Sequence, residues 1–190
     1  MKLVMKALRF ASEKHKNQRR KGPQEIPYIN HPINIAYYLC VCCDIIDSDI
    51  LIAAILHDTI EDTDASLEEI GLLFGENVLK IVEEVTDDKR LPRKVRKKLQ
   101  IECGRSKSYE ARLIKIADKI DNLNDLMKSP PPEWNLQKKI EYIDWTEKVV
   151  NEMRGTNRCL EDMYDKSLKE VREKLSTVLS TSLNNIFTEK

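Results

Sequence analysis

The chain of 190 residues has little glycine, few aromatic residues and no long uninterrupted apolar run. Five residues are glycine and 6% are aromatic, whereas 34% are charged. This composition is typical of a compact helical protein rather than a disordered or fibrous one. No apolar run approaches the ~20 residues that a membrane-spanning helix needs. The length suits one domain with a core of its own.

Net charge is also absent, because 32 basic side chains balance 32 acidic ones. A neutral chain gives no overall reason to expect a nucleic acid or an anionic membrane as partner. Lys6 and Arg9 interrupt the apolar residues of the N-terminus, which therefore lacks the continuous core of a signal peptide.

The five cysteines are odd in number and show no CxxC spacing. This pattern predicts free thiols in a reducing compartment, and we therefore expect a cytoplasmic protein. A soft-metal site at the clustered Cys40, Cys42 and Cys43 is the less favoured alternative.

Apolar residues recur at helical spacing through the chain, and no segment shows the alternation typical of strands. The sequence predicts an all-α fold, a single compact bundle of about eight to ten helices. Together with capping and stop signals, the spacing places helices at about residues 3–16, 32–43, 48–62, 67–74, 77–86, 92–103, 110–127, 135–152 and 157–186.

One stretch combines a buried segment with an unusual concentration of acid. Residues 50–56 are all apolar, and residues 44–79 contain no Lys or Arg. Ionisable groups crowded beside a buried segment need a counter-charge, for which a metal cation is well suited. On a helix, four side chains that could surround such a cation would project from one side at spacings of three and four residues: His57, Asp58, Glu61 and Asp62. The alternative is that these residues form a solvated helix end without a metal.

Two more side chains could complete a metal site. His31 lies in a turn bracketed by prolines, and Asp118 lies at the edge of an apolar helical stripe. Taken alone, a histidine such as His31 is more often a capping or surface residue, and Asp118 could equally be a salt-bridged surface residue. With His57 and Asp58 they form a mixed nitrogen and oxygen set, which suits a divalent ion such as Mn²⁺ or Fe²⁺.

Basic residues flank this acidic centre in two stretches. Six of the residues from 9 to 21 are basic, and seven of the ten from 89 to 98 are Lys or Arg. Each stretch alone could be a solvated face. Together they predict an anionic ligand beside a metal, and hydrolysis at phosphorus, with Glu61 and Asp62 as general acid or base.

The order H…HD…D formed by His31, His57-Asp58 and Asp118 resembles the HD-domain metal-dependent phosphohydrolases. Over about residues 3–160 the chain is similar to the hydrolase domain of the RelA/SpoT enzymes, most of all its small stand-alone animal members. Five segments carry this resemblance: RRKGPQEIPYINHP, ILHDTIEDTD, VEEVTDDK, KIADKIDNLNDL and GTNR.

The resemblance implies an HD-type hydrolase domain at residues 1–160 and a C-terminal helical extension at residues 161–190. It implies removal of the 3′-pyrophosphate from guanosine tetra- or pentaphosphate, with Glu61 and Asp62 as the acidic catalytic pair. One Mn²⁺ per chain is then bound by His31, His57, Asp58 and Asp118. The implied nucleotide or phosphate contacts are Arg20, Lys21, Arg93, Asn122 and Tyr142.

Other interpretations of the same site remain open. Animal relatives are also associated with removing the 2′-phosphate of NADPH, and other HD-type enzymes act on other nucleotides. A sensor that binds a nucleotide without turnover is the non-enzyme alternative, although Glu61 and Asp62 argue against it. Asp121 departs from the family pattern, where Tyr or His is usual, and we expect its charge to weaken binding of a polyanionic substrate.

Overall fold

A computed structural model describes the backbone of residues 1–188 and the side chains of residues 1–177. Within this part of the chain the regular structure is helical, apart from one isolated bridge between Arg19 and Pro27, and the all-α prediction is confirmed. The elements are α1 (Lys2–Lys14), α2 (Asn30–Tyr37), a π-helical segment (Tyr38–Cys42), α3 (Ser48–Leu56), α4 (Thr59–Asp62), α5 (Leu67–Phe74), α6 (Glu76–Val85), α7 (Arg93–Glu102), α8 (Tyr109–Lys128), α9 (Leu136–Asn151) and α10 (Arg158–Thr188). None of the described helices has the length and apolar character needed to cross a membrane.

Helix α3 lies at the centre of the fold. Its apolar residues 50–56 are all buried, and the helix packs against α1, α2, α6 and α8. The Asp47 side chain accepts hydrogen bonds from the backbone N–H groups of Asp49 and Ile50 and so caps the helix. A rigid, enclosed α3 therefore fixes the position of the residues that follow it.

Replacing Ile52 by Ala is expected to lower the free energy of unfolding by about 2–5 kcal/mol, because it leaves a cavity in a closely packed core. Ile52 is 0% exposed. Urea denaturation of the two proteins measures the difference. Leu72→Ala is the control, since Leu72 is 86% exposed, and a similar loss in both variants would contradict this account.

The prediction of a continuous helix over residues 48–62 is wrong, because the helix is interrupted between α3 and α4. His57 Nδ1 donates to the Ala54 carbonyl at 2.9 Å, and the Thr59 hydroxyl donates to the Leu56 carbonyl at 2.7 Å. Side chains that bond to backbone carbonyls in this way compete with the helical pattern. The break places His57 and Asp58 in a turn rather than on a helix face.

The C-terminal helix α10 packs along α8. It buries Leu160, Tyr164, Leu168 and Val171, and the Tyr164 hydroxyl lies 3.0 Å from the Thr146 hydroxyl. The predicted boundary after residue 160 falls in the first turn of this helix, and the division into a domain and an extension stays a prediction.

The free-thiol prediction is wrong for two of the five cysteines. Cys43, just after the π-helical segment, forms a disulfide with Cys159 at the start of α10. Their separation of 116 positions in the sequence gave no sign of this proximity, which depends on the packing of α10. Cys40, Cys42 and Cys103 are free. The cysteine pattern therefore no longer indicates a reducing compartment.

Candidate metal centre and active site

Three buried side chains from different elements meet beside α3. His31 comes from α2, His57 follows α3, and Asp118 comes from the middle of α8. One ligand atom from each lies within 4.8 Å of the others. Two imidazoles and a carboxylate in this arrangement could hold a metal ion.

Asp58 completes the group that the sequence predicted. Its Oδ2 atom lies 2.9 Å from His57 Nε2 and 3.7 Å from His31 Nε2. The Tyr28 hydroxyl donates a hydrogen bond to the same oxygen. The fold therefore brings together all four residues proposed as metal ligands, which come from three separate parts of the sequence.

The hydrogen bonding of His57 fits a cation at this point. Its Nδ1 donates to the Ala54 carbonyl, so in the neutral ring Nε2 carries a lone pair. That Nε2 atom is buried and has no hydrogen-bond donor. This lone pair faces the Asp58 carboxylate, and two buried acceptors that face each other repel. A cation bound between them would remove this cost.

Electrostatics keep both carboxylates of this group ionised. Burial opposes ionisation of Asp118, but Lys119, which donates to Oδ2 at 2.8 Å, and His31 hold the pKa of Asp118 well below its usual range. Burial likewise opposes ionisation of Asp58, and positive charge on the His57 and His31 rings lowers the pKa of Asp58; a bound metal ion would supply positive charge at the same place.

His31 is protonated more readily than an ordinary histidine. Burial and the charge of Arg20 oppose its protonation, yet hydrogen bonds to Asp118 and Asp121 raise the pKa of His31 to about 9. A metal ion that binds Nε2 must displace this proton.

The proposed catalytic pair lies next to the metal group, on the short helix α4. Glu61 accepts a hydrogen bond from Arg96 at 3.1 Å, and Asp62 accepts one from Gln18 at 3.0 Å. Burial, followed by the charges of Asp87, Asp58 and Asp62, raises the pKa of Glu61. A carboxylate with raised proton affinity is suited to general acid or base catalysis.

A cavity of about 540 Å³ opens over this pair. Both basic stretches border it, and so do the proposed catalytic and substrate-binding residues. From the predicted set the lining includes Arg20, Lys21, Glu61, Asp62, Arg93, Asn122 and Tyr142.

One guanidinium of the predicted set is already engaged within the protein. Arg20 donates to Asp125 and, at 3.0 Å, to Asn122. It is therefore held in a fixed position at the cavity wall, where part of its charge is offset by Asp125. Lys21 and Arg93 are exposed at the same cavity.

Sequence reasoning missed most of an aromatic cluster that also lines the cavity. Trp134, Tyr142 and Trp145 form a chain of ring contacts with centroid distances of 5.1 and 5.4 Å. Lys97 lies 4.4 Å from the Trp145 ring centroid, and Lys119 lies 4.7 Å from it. Aromatic faces beside cations can contact a base or ribose together with its phosphates. Of these three rings, the sequence predicted a role for Tyr142 only.

The structure also corrects the expectation for Asp121. Asp121 is 2% exposed and is not part of the cavity lining. Its carboxylate lies behind His31, 2.6 Å from Nδ1. It does not face the substrate, so the expected repulsion of a polyanion does not follow.

Comparisons with known proteins show the family of the chain. Residues 7–143 match the HD domain family. The chain is 50% identical over 163 residues to guanosine-3′,5′-bis(diphosphate) 3′-pyrophosphohydrolase MESH1 of Xenopus tropicalis, covering 86% of this chain and 91% of the relative. It is 47% identical over 167 residues to the protein of that name from Homo sapiens, covering 88% and 93%.

A solved structure is similar along most of its length. It is a metazoan ortholog of SpoT that hydrolyzes ppGpp and plays a role in starvation responses. The TM-score is 0.86 and the sequence identity is 48%, and the match covers 88% of this chain and 94% of that one. The resemblance drawn from the sequence motifs is thereby confirmed. The chain belongs to the HD domain family and, within it, to the small SpoT-like proteins of animals.

Proposed function

We propose that this protein hydrolyses guanosine 3′,5′-bis(diphosphate), and the corresponding pentaphosphate, to GDP or GTP and pyrophosphate. The observation that carries the proposal is a buried His31, His57 and Asp118 group beside Glu61, below a cavity with two basic walls. The names of the animal relatives support the substrate.

The metal is the first component of this proposal. One Mn²⁺ per chain would be held by His31, His57, Asp58 and Asp118, which offer nitrogen and oxygen donors to a divalent ion. When bound, such an ion polarises a phosphoryl oxygen and lowers the pKa of water.

The second component is the acidic pair. Hydrolysis breaks the bond between phosphorus and the ribose 3′ oxygen; water loses a proton as it attacks, and the 3′ oxygen gains one as it leaves. We assign the exchange of these protons to Glu61, whose raised pKa supports this role, and to Asp62. Asp62 is fixed by Gln18 and Lys89.

The substrate contacts are the third component. Arg20, Lys21 and Arg93 would offset phosphate charge, while Asn122 and Tyr142 would contact the nucleoside. The partner is therefore a small phosphorylated nucleotide, neither a nucleic acid nor a membrane. A location in the cytoplasm is part of the proposal.

The experiment compares metal-stripped protein with and without added Mn²⁺ on guanosine tetraphosphate and, separately, on NADPH. The products are resolved as pyrophosphate or orthophosphate. Mn²⁺-dependent release of pyrophosphate from guanosine tetraphosphate is expected. If orthophosphate is released from NADPH and guanosine tetraphosphate is not hydrolysed, the protein is assigned to the 2′-phosphatase alternative. If neither substrate is hydrolysed while the metal is bound, the result favours a nucleotide sensor.

Gly22 provides a test of the basic loop in this function. A Cβ atom at residue 22 would lie 2.6 Å from the Ser129 carbonyl oxygen, too close for real atoms. Gly22→Ala must therefore shift either the loop that carries Arg20 and Lys21 or Ser129, which also lines the cavity. We expect KM for guanosine tetraphosphate to rise by about tenfold, because a displacement near 1 Å is costly at a binding site. In the same loop Gln24→Ala is the control, and an equal KM in both variants would contradict the role of this loop.

A further inference from the structure

Asp121 and the metal site lie on opposite sides of the His31 ring. Asp121 Oδ2 is 2.6 Å from His31 Nδ1. The other ring nitrogen, Nε2, is 3.3 Å from Asp118 Oδ1 and 3.7 Å from Asp58 Oδ2. The ring thus bridges the proposed metal site and a buried carboxylate that the proposed mechanism does not use.

The Asp121 carboxylate is held in a fixed orientation. Asn34 Nδ2 donates to Oδ1 at 2.8 Å, and the Tyr38 hydroxyl donates to the same oxygen at 3.2 Å. Oδ2 is therefore left to accept from His31. The nearest Arg20 nitrogen is 3.9 Å from Oδ2, beyond hydrogen-bond distance.

We propose that Asp121 is a positioning residue that holds His31 with its proton on Nδ1 and its Nε2 lone pair directed at the metal. An ionised carboxylate can only accept, so its hydrogen bond selects the tautomer in which Nδ1 donates. Carboxylates that accept from metal-bound histidines fix ring orientation and increase ligand basicity. The inference rests on the metal site of the proposed function, not on the identity of the nucleotide.

The support of Asp121 extends to the C-terminal helix. Asn124 Nδ2 donates to the Tyr38 hydroxyl oxygen at 3.3 Å, and Ser167 on α10 donates to Asn124 Oδ1 at 3.0 Å. The disulfide between Cys43 and Cys159 joins the end of the π-helical segment, which begins at Tyr38, to the same helix. α10 thus helps to hold the donors that orient Asp121.

The test measures Mn²⁺ affinity of metal-stripped protein by electron paramagnetic resonance, without nucleotide. In Asp121→Asn the side-chain amide has nearly the same shape as the carboxylate. Asn34 and Tyr38 donate hydrogen bonds, so they favour the amide oxygen on their side. The amide N–H groups then face His31 Nδ1. A ring that must accept at Nδ1 carries its proton on Nε2 and loses its ligand lone pair. Mn²⁺ affinity is expected to fall by about 10–100-fold, as for other outer carboxylate partners of metal-bound histidines.

Asp125→Asn is the matched control. It removes a carboxylate that lies on the same helix as Asp121 and is also close to Arg20, but that does not contact His31. Because Asp125 accepts no hydrogen bond from a proposed metal ligand, Mn²⁺ affinity is expected to stay within roughly twofold of the unmodified protein. Asp121→Glu, which retains the acceptor, should restore part of the affinity. Circular dichroism and thermal unfolding verify that each variant is folded.

The outcomes separate this inference from the proposed function. Unchanged Mn²⁺ affinity in folded Asp121→Asn, or an equal loss in Asp125→Asn, would overturn the positioning role alone. Failure of the unmodified protein to bind Mn²⁺ would overturn both this role and the metal proposal. An error in the substrate would leave the measurement unaffected.

Discussion

Asp58→Ala is expected to abolish Mn²⁺-dependent turnover. The change removes a carboxylate 2.9 Å from His57 Nε2 and leaves Asp118 as the one carboxylate among the proposed ligands. Loss of a direct ligand should weaken Mn²⁺ binding by more than the ~100-fold found for outer partners of metal ligands. If about 4 kcal/mol of transition-state stabilisation depends on the metal, the rate falls by about 10³-fold.

Tyr28→Phe is the control for this variant. It removes the hydroxyl that donates to Asp58 but keeps the carboxylate, so metal binding should be largely retained. Turnover is measured as pyrophosphate release, and bound metal by elemental analysis after gel filtration. Full activity of Asp58→Ala at the same metal concentration would remove Asp58 from the ligand set.

Glu61→Gln is expected to lower kcat by about 10²–10⁴-fold, the usual contribution of a general acid or base. Gln retains the shape and can still accept the Arg96 hydrogen bond, but it cannot exchange a proton. Glu61 is not one of the four proposed metal ligands, so metal content should stay unchanged. The combination of retained metal and lost turnover distinguishes proton transfer from ligation.

Asp64→Asn is the matched control for Glu61→Gln. Asp64 is also an acid of this stretch, but its side chain is 87% exposed and pairs with Lys14 outside the cavity. Its kcat should match that of the unmodified protein. Activity retained in Glu61→Gln would exclude Glu61 from the mechanism, and lost metal would reassign it to the metal site.

The helices were predictable because their apolar spacing corresponds directly to burial. Residues 50–56 are continuously apolar, and α3 is enclosed on all sides. Ser66 and Asp47 cap helices where their side chains reach free N–H groups. The candidate ligands were recognisable by residue type and order.

What could not be predicted depends on the direction of side chains in the folded protein. Around Asp118 the residues on every side of α8 are buried. The spacing of apolar residues in the sequence therefore could not show whether Asp121 faces the cavity or His31. The break after Leu56 arises from side-chain bonds to carbonyls that compete with a helical pattern. Trp134 and Trp145 are separated by most of a helix, and only tertiary packing aligns their rings with Tyr142.

The separation of charge around the cavity has a consequence for how a ligand arrives. With no net charge, the protein presents almost no field to a distant anion, and at 0.1 M salt screening removes most of what remains beyond about 10 Å. Attraction therefore begins only near the cavity mouth, where Lys21 and Arg93 are exposed. Ionic strength should then act chiefly on the last step of approach, and strongly charged solutes gain no general affinity for the rest of the surface.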